Sequence, residues 1–184
     1  TSFGHGKGDF WNGFYIPVPG QPSLSTVADV TGDGRNDLVA CLGFQASVCI
    51  IDGQVPGNDS SQTSPFAQYV LDATGLPLRP FAVDFDGNGK RDVFALSGLG
   101  SRVNLWLAKD DGALAGARNY ATGLPGSSWL EGGDFDGDGD LEVATGSQGG
   151  STISLLGGNG TLVLAVESSV GVGQGIYQLK SADL

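Results

Sequence analysis

The hydrophobic and polar positions in residues 81–121 fall into four short segments separated by Gly, Asn, Asp and Pro. Short segments bounded by turn-forming residues are typical of β-strands. We predict strands at 81–85, 92–97, 103–108 and 118–121. Because no stretch of the chain keeps the period of an amphipathic helix, the pattern indicates an all-β fold.

The same pattern predicts how deeply the strands are buried. The second strand is a continuous apolar run at 93–96, as is the matching run at 38–42, which is typical of a strand covered on both faces. The third strand alternates, with Leu105 on one face and Asn104 and Trp106 on the other. This alternation predicts a half-buried strand with a polar outer face.

The pattern recurs along the chain. The segments VADVTGDGRNDLVACLG, AVDFDGNGKRDVFALSG and GGDFDGDGDLEVATGS align so that their first aspartates are Asp29, Asp84 and Asp134, 55 and 50 residues apart. A fourth echo places Asp183 another 49 residues on. A period near 50 residues is typical of propeller blades and repeat arrays.

The repeats predict the domain organisation. The fold expected is all-β, with β-propeller-type blades of four antiparallel strands: three full repeats plus an orphan strand at each end, near 14–18 and 177–183. Three blades are fewer than the 4 to 8 of a closed propeller. The predicted segments are an N-terminal segment at 1–23, repeats at about 24–80, 81–128 and 129–176, and the start of a fourth at 177–184.

Each full repeat carries an acidic nine-residue loop between its first two strands: loop 1 at 29–37, loop 2 at 84–92 and loop 3 at 134–142. Positions 1, 3, 5 and 9 of every loop hold oxygen-bearing side chains, and a Gly follows position 5. Position 7 varies freely, so we expect it to offer its backbone carbonyl. The predicted side-chain ligands are Asp29, Thr31, Asp33, Asp37, Asp84, Asp86, Asn88, Asp92, Asp134, Asp136, Asp138 and Glu142, and the predicted carbonyl ligands are Arg35, Lys90 and Asp140.

This donor set predicts a hard cation. Eleven of the 20 acidic residues lie in the three loops, and carboxylates this close repel one another unless a cation neutralises them. Ca²⁺ takes 6–8 oxygens in irregular geometry, whereas Mg²⁺ demands a stricter octahedron, so we expect about three Ca²⁺ ions. An EF-hand is excluded because position 12 holds Ala40, Ala95 and Thr145 rather than Glu.

The loop sequences DVTGDGRNDLV, DFDGNGKRDVFAL and DFDGDGDLEVATG resemble the FG-GAP, or VCBS, repeats of integrin α-subunits and many extracellular proteins. The resemblance covers residues 24–184, and the segment before Leu24 matches nothing. It implies one propeller blade per repeat, with Ca²⁺ in the loop between the first two strands, and a role in adhesion or recognition outside the cell. Because Thr31 and Asn88 are neutral, loop 3 should bind most tightly.

The composition restricts the classes of partner that the protein is expected to bind. With 9 basic and 20 acidic side chains, the net charge of -11 argues against nucleic acid and anionic membranes. No apolar run approaches the roughly 18 residues that a membrane span needs. The partners expected are other protein chains, including copies of itself, or surface glycans.

Cys41 and Cys49 flank the predicted hairpin between the second and third strands of the first repeat. With the turn centred near Gln45, they are direct cross-strand neighbours, and we predict a disulfide. The alternative is two small buried side chains. A disulfide suits an extracellular, secreted or cell-surface location.

Catalytic residues are not evident. His5 is the single histidine, so a nucleophilic triad lacks its base, and we expect no enzyme activity. Three functions remain open: an adhesion or recognition module, a self-assembling ring or filament subunit that pairs its edge strands, and a lectin. A lectin would use Trp11, Trp106 or Trp129 as sugar-stacking platforms, and Trp106 is the best candidate because it lies on the polar face of its strand. Packing between blades is the preferred interpretation for each of the three.

Overall fold

The computed structural model describes residues 16–53, 68–97, 101–157, 163–173 and 175–180, and within them it contains twelve strands and no helix. The strands are β1 Pro22–Ala28, β2 Asp37–Leu42, β3 Ser47–Ile51, β4 Gln68–Asp72, β5 Pro77–Val83, β6 Asp92–Ser97, β7 Arg102–Trp106, β8 Arg118–Ala121, β9 Ser127–Gly133, β10 Glu142–Ser147, β11 Thr152–Gly157 and β12 Ala165–Gly171.

Each sheet is built from four consecutive antiparallel strands, in the orders β1-β2-β3-β4, β5-β6-β7-β8 and β9-β10-β11-β12. We call them sheets 1, 2 and 3. The all-β fold and the three sets of four strands are confirmed. In sheet 2, β6 and β8 have the predicted bounds, whereas β5 begins earlier, at Pro77, because an irregularity between Leu78 and Phe81 lets pairing continue past the bulge.

The sheets stack face to face through two apolar clusters. Val39 and Val48 of sheet 1 pack with Val93 of sheet 2. On the other face of sheet 2, Phe94 packs with Leu156 of sheet 3. The middle sheet is therefore covered on both faces, which confirms the prediction for its second strand, where every residue of β6 is buried.

The prediction of a half-buried third strand is wrong. Asn104 and Trp106 are buried, because sheet 1 covers the face that the alternation assigned to solvent. The Trp106 Nε1–H donates to the Asp72 carbonyl at 3.2 Å, and Asn104 Oδ1 accepts from the Thr74 amide at 2.8 Å. Polar atoms on this face are tolerated because each finds a backbone partner, in β4 for Trp106 and in the segment that follows β4 for Asn104.

The predicted orphan strands are not found in the described parts of the termini. Residues 16–18 and 177–180 are not strands, and the remaining positions of both predictions lie outside the described residues. Ile16 and Val18 instead pack on the face of sheet 1 that points away from sheet 2. Near the other end, Ile176 exchanges backbone hydrogen bonds with Gly149 and Gly150, at 3.0 and 2.8 Å. The N-terminal segment therefore covers a sheet face, whereas Ile176 forms an isolated parallel β-bridge with Gln148.

The predicted disulfide is also wrong, since both cysteines are free and buried. Cys49 pairs with Ala40, and Cys41 with Val48. The hairpin turn is centred half a residue earlier than predicted, and this shift of one position in the pairing puts the two thiols on opposite faces of sheet 1. Cys41 lies between sheets 1 and 2, and burial raises its pKa to about 12.

This register makes a prediction about thiol chemistry. We expect the native protein at pH 8 to react only slowly with a thiol reagent, because burial holds both thiols in the protonated, unreactive form. In denaturant without reductant, both thiols should titrate. Failure to detect thiols in the denatured chain would mean that a disulfide forms despite the register.

Candidate metal centres

Loop 3 is folded by its own aspartates. Asp134 Oδ1 accepts from the Gly137 amide at 2.7 Å, and its Oδ2 accepts from the Gly139 amide at 3.1 Å. Both glycines have positive φ angles, 81° and 96°, which a side chain at either position would oppose. The backbone therefore wraps around the first carboxylate of the loop.

Loops 1 and 2 repeat this arrangement. Asp29 Oδ2 accepts from the Gly34 amide and Asp84 Oδ2 from the Gly89 amide, both at 2.8 Å. Each of these carboxylates keeps lone pairs beyond the hydrogen bonds that shape the loop. The same fold in three loops explains why Gly follows position 5 each time.

The carboxylate at position 9 has a structural role that sequence reasoning missed. Asp37, Asp92 and Glu142 are buried, and they accept from the amides of Val30, Phe85 and Phe135 at 2.9, 2.9 and 2.7 Å. A buried carboxylate at the first position of a strand was the available signal, because such a group needs a donor.

The carboxylate at position 9 also connects its loop to the end of the third strand of the same sheet. Asp37 Oδ1 accepts from the Gly53 amide at 2.8 Å, just after β3. Asp92 Oδ1 accepts from the Ala108 amide at 2.7 Å, just after β7. Position 9 therefore fixes the loop against its sheet.

In loops 2 and 3 the acidic side chains converge. Oxygen atoms of Asp84, Asp86 and Asp92 lie within 4.8 Å of one another, and so do oxygens of Asp134, Asp136 and Asp138. Two ligands of one Ca²⁺, each at 2.3–2.6 Å, are separated by at most about 5 Å. The all-oxygen donor set and its spacing fit this ion. Within the described residues, the remaining predicted ligands are not part of these acidic triads.

Loop 1 differs from the other two. Its acids do not form a triad of this kind among the described residues, because position 3 is Thr31. The Thr31 Oγ1 is buried and has no hydrogen-bond partner in the described part of the chain. A buried hydroxyl oxygen is an available neutral donor to a cation.

Electrostatics in the loops favours a cation. Burial raises the pKa of Glu142, and the negative charges of Asp136, Asp138 and Asp134 raise it further. Burial also raises the pKa of Asp92, against the opposing effect of the amides that it accepts from. A bound cation would offset these costs of ionisation.

In loop 2, the variable side chain at position 7 makes its hydrogen bonds outside the loop. Lys90 Nζ donates to the carbonyls of Lys109 and Asp110, at 2.8 and 2.6 Å. This use of the side chain agrees with a role for position 7 through its backbone, and ligation by its carbonyl stays a prediction.

Trp106 is not a sugar platform but packs between the sheets, as expected for most of the tryptophans: it is only 1% exposed and its ring lies between sheets 1 and 2. Trp129 is partly exposed, and the Arg79 guanidinium lies 3.7 Å from the centroid of its ring. Trp11 and His5 lie outside the described residues.

The two roles of loop carboxylates are separable by mutation. In EDTA, we expect Asp92→Ala to lower the free energy of unfolding by at least about 2 kcal/mol, because the amides of Phe85 and Ala108 lose their hydrogen-bond acceptor. Asp86→Ala in EDTA should cost less than about 1 kcal/mol, since Asp86 accepts one long bond in an exposed loop. Urea unfolding measures both, and equal costs would remove the structural role assigned to position 9.

Residues 84–145 match the family model of the FG-GAP-like repeat. A search of curated proteins found no match for the chain. The matched segment begins at the first residue of loop 2 and extends past the end of loop 3, so it includes both acidic triads. The resemblance indicated by the loop sequences is thereby confirmed for this segment, and the chain contains an FG-GAP-like repeat at residues 84–145.

Proposed function

We propose that the chain is a calcium-binding, non-catalytic repeat module of an extracellular protein, and that it serves in recognition or adhesion. One observation carries the proposal: in two successive repeats, the carboxylates at loop positions 1 and 3 converge to within 4.8 Å with a third, from position 9 in loop 2 and position 5 in loop 3. The FG-GAP-like match over the same two loops supports it, because such repeats are often found in adhesion and recognition proteins.

Calcium is favoured over magnesium by the kind of donors present. All the predicted side-chain ligands are oxygens. Those at positions 1, 3 and 5 come from irregular, Gly-containing loops, and those at position 9 are the first residues of strands β2, β6 and β10. Ca²⁺ accepts such irregular cages, whereas Mg²⁺ keeps its own waters and an ideal octahedron. The ligand set proposed is the one predicted from the sequence, with loop 3 the most strongly charged.

The ion would supply positive charge where each first strand turns into the second. The residues of the chain do the rest: the aspartate at position 1 shapes the loop, and the carboxylate at position 9 holds it against the sheet. At a free Ca²⁺ concentration of 100 times Kd, each site would add about 2.7 kcal/mol of stability. Several such sites are comparable with the whole stability of a typical domain.

A structural role for the ion leaves recognition rather than catalysis as the function. The only histidine, His5, has no thiol or carboxylate partner that the sequence identifies as catalytic. The loop carboxylates are taken up by backbone amides and by the proposed ion. We therefore propose protein chains or surface glycans as partners, with copies of the same chain among them.

An extracellular location rests on two points. FG-GAP-like repeats are typically extracellular, and calcium at the concentrations that loosely built sites need is found outside the cell. The described residues include no helix that is long and apolar enough to cross a bilayer. The two free thiols give no support to this location, contrary to the expectation from the sequence.

Removal of calcium tests the proposal. We expect the melting temperature in millimolar Ca²⁺ to fall sharply in excess EDTA, and Asp138→Ala to lower it more than Thr31→Ala when Ca²⁺ is present. The reason is that Asp138 contributes a charge to an acidic triad and Thr31 contributes a neutral oxygen. An identical melt in Ca²⁺ and EDTA would overturn the metal assignment, and equal effects of the two variants would show that ligand charge does not rank the loops.

A second candidate, self-assembly, is favoured by the outer face of sheet 3. Ile153 and Leu155 are half-buried there and Val170 is 52% exposed, whereas the equivalent face of sheet 2 is buried against sheet 3. An apolar sheet face of this kind is a surface on which another sheet can pack. We propose packing of this face, rather than pairing of orphan edge strands, as the route to assembly.

Solution mass distinguishes assembly from a monomeric module. If the face mediates assembly, light scattering in millimolar Ca²⁺ should give a multiple of 18.7 kDa for the wild type. The variant Val170→Asp should then be monomeric, because a charge on the face opposes its burial. Val27→Asp is the matched control, at a valine that is 61% exposed in sheet 1. A wild-type monomer would eliminate self-assembly.

A further inference from the structure

A cavity of about 390 Å³ lies where the first strands of the three sheets come together with segment 178–180. Strand β1 contacts β5, and β5 contacts β9, so the cavity is bounded by neighbouring strands of successive sheets. It is separate from the acidic loops, whose triads do not line it.

The repeat alignment explains which side chains reach the cavity. The residues five positions before the first aspartate of each loop are Leu24, Arg79 and Trp129, and Gln178 is the equivalent residue before Asp183. All four line the cavity. One repeat position therefore supplies an apolar, a cationic, an aromatic and an amide side chain to the same space.

A second repeat position behaves in the same way. The residues three positions before each first aspartate are Thr26, Phe81, Glu131 and Lys180, and all four line the cavity. The acidic loops have nearly the same residues in every repeat, whereas these two positions differ in every repeat. The two positions therefore give the cavity both apolar walls and a few polar groups, the combination typical of small-molecule sites.

Arg79 is held in an unusual backbone conformation. Its φ of 50° is in the left-handed region that residues other than Gly rarely adopt, and it lies in the pairing irregularity between Leu78 and Phe81. The bulge directs the side chain across to β9, where Nε donates to the Ser128 carbonyl and the guanidinium stacks on Trp129. Bulges that redirect a side chain, and strained residues, are both concentrated at functional sites.

Three polar side chains that line the cavity, Arg79, Trp129 and Lys180, can only donate hydrogen bonds. The Trp129 Nε1–H is buried without a hydrogen-bond partner among the described residues. Lys180 Nζ donates to Glu131 Oε1 at 3.1 Å. The cavity is therefore lined by one carboxylate and by two positively charged side chains, Arg79 and Lys180. This local excess of positive charge contrasts with the net charge of -11 for the whole chain. Donors and positive charge favour a ligand that brings negatively charged acceptors.

We propose that this cavity binds the carboxylate of a small organic acid, with Arg79 and Trp129 as its principal contacts. The carboxylate accepts from the Arg79 guanidinium, which stacks on the Trp129 ring, and the rest of the ligand lies along Phe81 and Leu24. The volume is suited to a molecule of monosaccharide size. A metal cation is disfavoured there, because two positively charged side chains line the cavity.

The test uses glucuronate as the probe and glucose as its neutral counterpart, in calorimetric titrations of the whole 184-residue chain in millimolar Ca²⁺. We expect glucuronate to bind and glucose to bind at least about tenfold more weakly, since glucose lacks the charged acceptor. Equal affinity for the two probes, or no binding of glucuronate at millimolar concentration, would overturn the proposal.

Variants locate the binding. Arg79→Gln should weaken glucuronate binding by about tenfold or more, and Arg79→Lys less, because it keeps the charge but not the planar fork. Trp129→Phe removes the indole N–H and part of the ring surface on which the Arg79 guanidinium stacks, so it should also weaken binding. Arg102→Gln, the same charge change at an exposed residue of β7, is the matched control and should bind as the wild type does.

A separate variant distinguishes the cavity from the acidic loops. Asp136→Asn alters loop 3 and should leave glucuronate binding unchanged, even if it lowers the melting temperature in Ca²⁺. Loss of binding in Asp136→Asn but not in Arg79→Gln would mean that the carboxylate coordinates a loop cation, and the cavity would then be ruled out. If the loops do not bind calcium, the melting temperature will be the same in Ca²⁺ and in EDTA. The glucuronate titrations would still test the cavity, because they do not depend on that result.

Discussion

The structure depends on one buried carboxylate in each repeat, the one that begins the second strand. Asp92 is the fullest example: its two oxygens accept from amides in loop 2 and from the amide of Ala108, so one side chain joins the loop to the third strand. Burial of this group without those donors would be prohibitive. Because the loop is fixed in this way, the aspartates at its other positions are brought close together, and the resulting repulsion creates the demand for a cation.

That constraint also explains why the repeats look alike in some places and differ in others. The loops need Gly at positions with positive φ and carboxylates at fixed spacing, so their sequence is nearly constant. The first strands of the sheets have to satisfy only strand pairing and packing. Their residues that face the cavity can therefore differ from one repeat to the next. In this chain they have become Arg79, Trp129 and Glu131 around one cavity.

Much of the architecture could be predicted from the sequence, because local patterns determine it. The bounds of β6 and β8, the grouping into fours and the loop spacing all follow from periodicity and turn residues. The predictions fail where a tertiary contact, rather than the local sequence, determines the structure. Trp106 is buried because sheet 1 covers it, and the Cys41 register depends on a hairpin turn whose length the sequence did not reveal. The cavity could not be found in advance, since it exists only where the first strands of the three sheets meet segment 178–180.

The central claim is that the loops bind calcium, and equilibrium dialysis against radioactive Ca²⁺ tests it most directly. The account predicts about three ions per chain for the wild type, and about one fewer when Asp136 and Asp138 are both replaced by Asn. No bound calcium at millimolar concentration, or the same stoichiometry in this double variant, would contradict it.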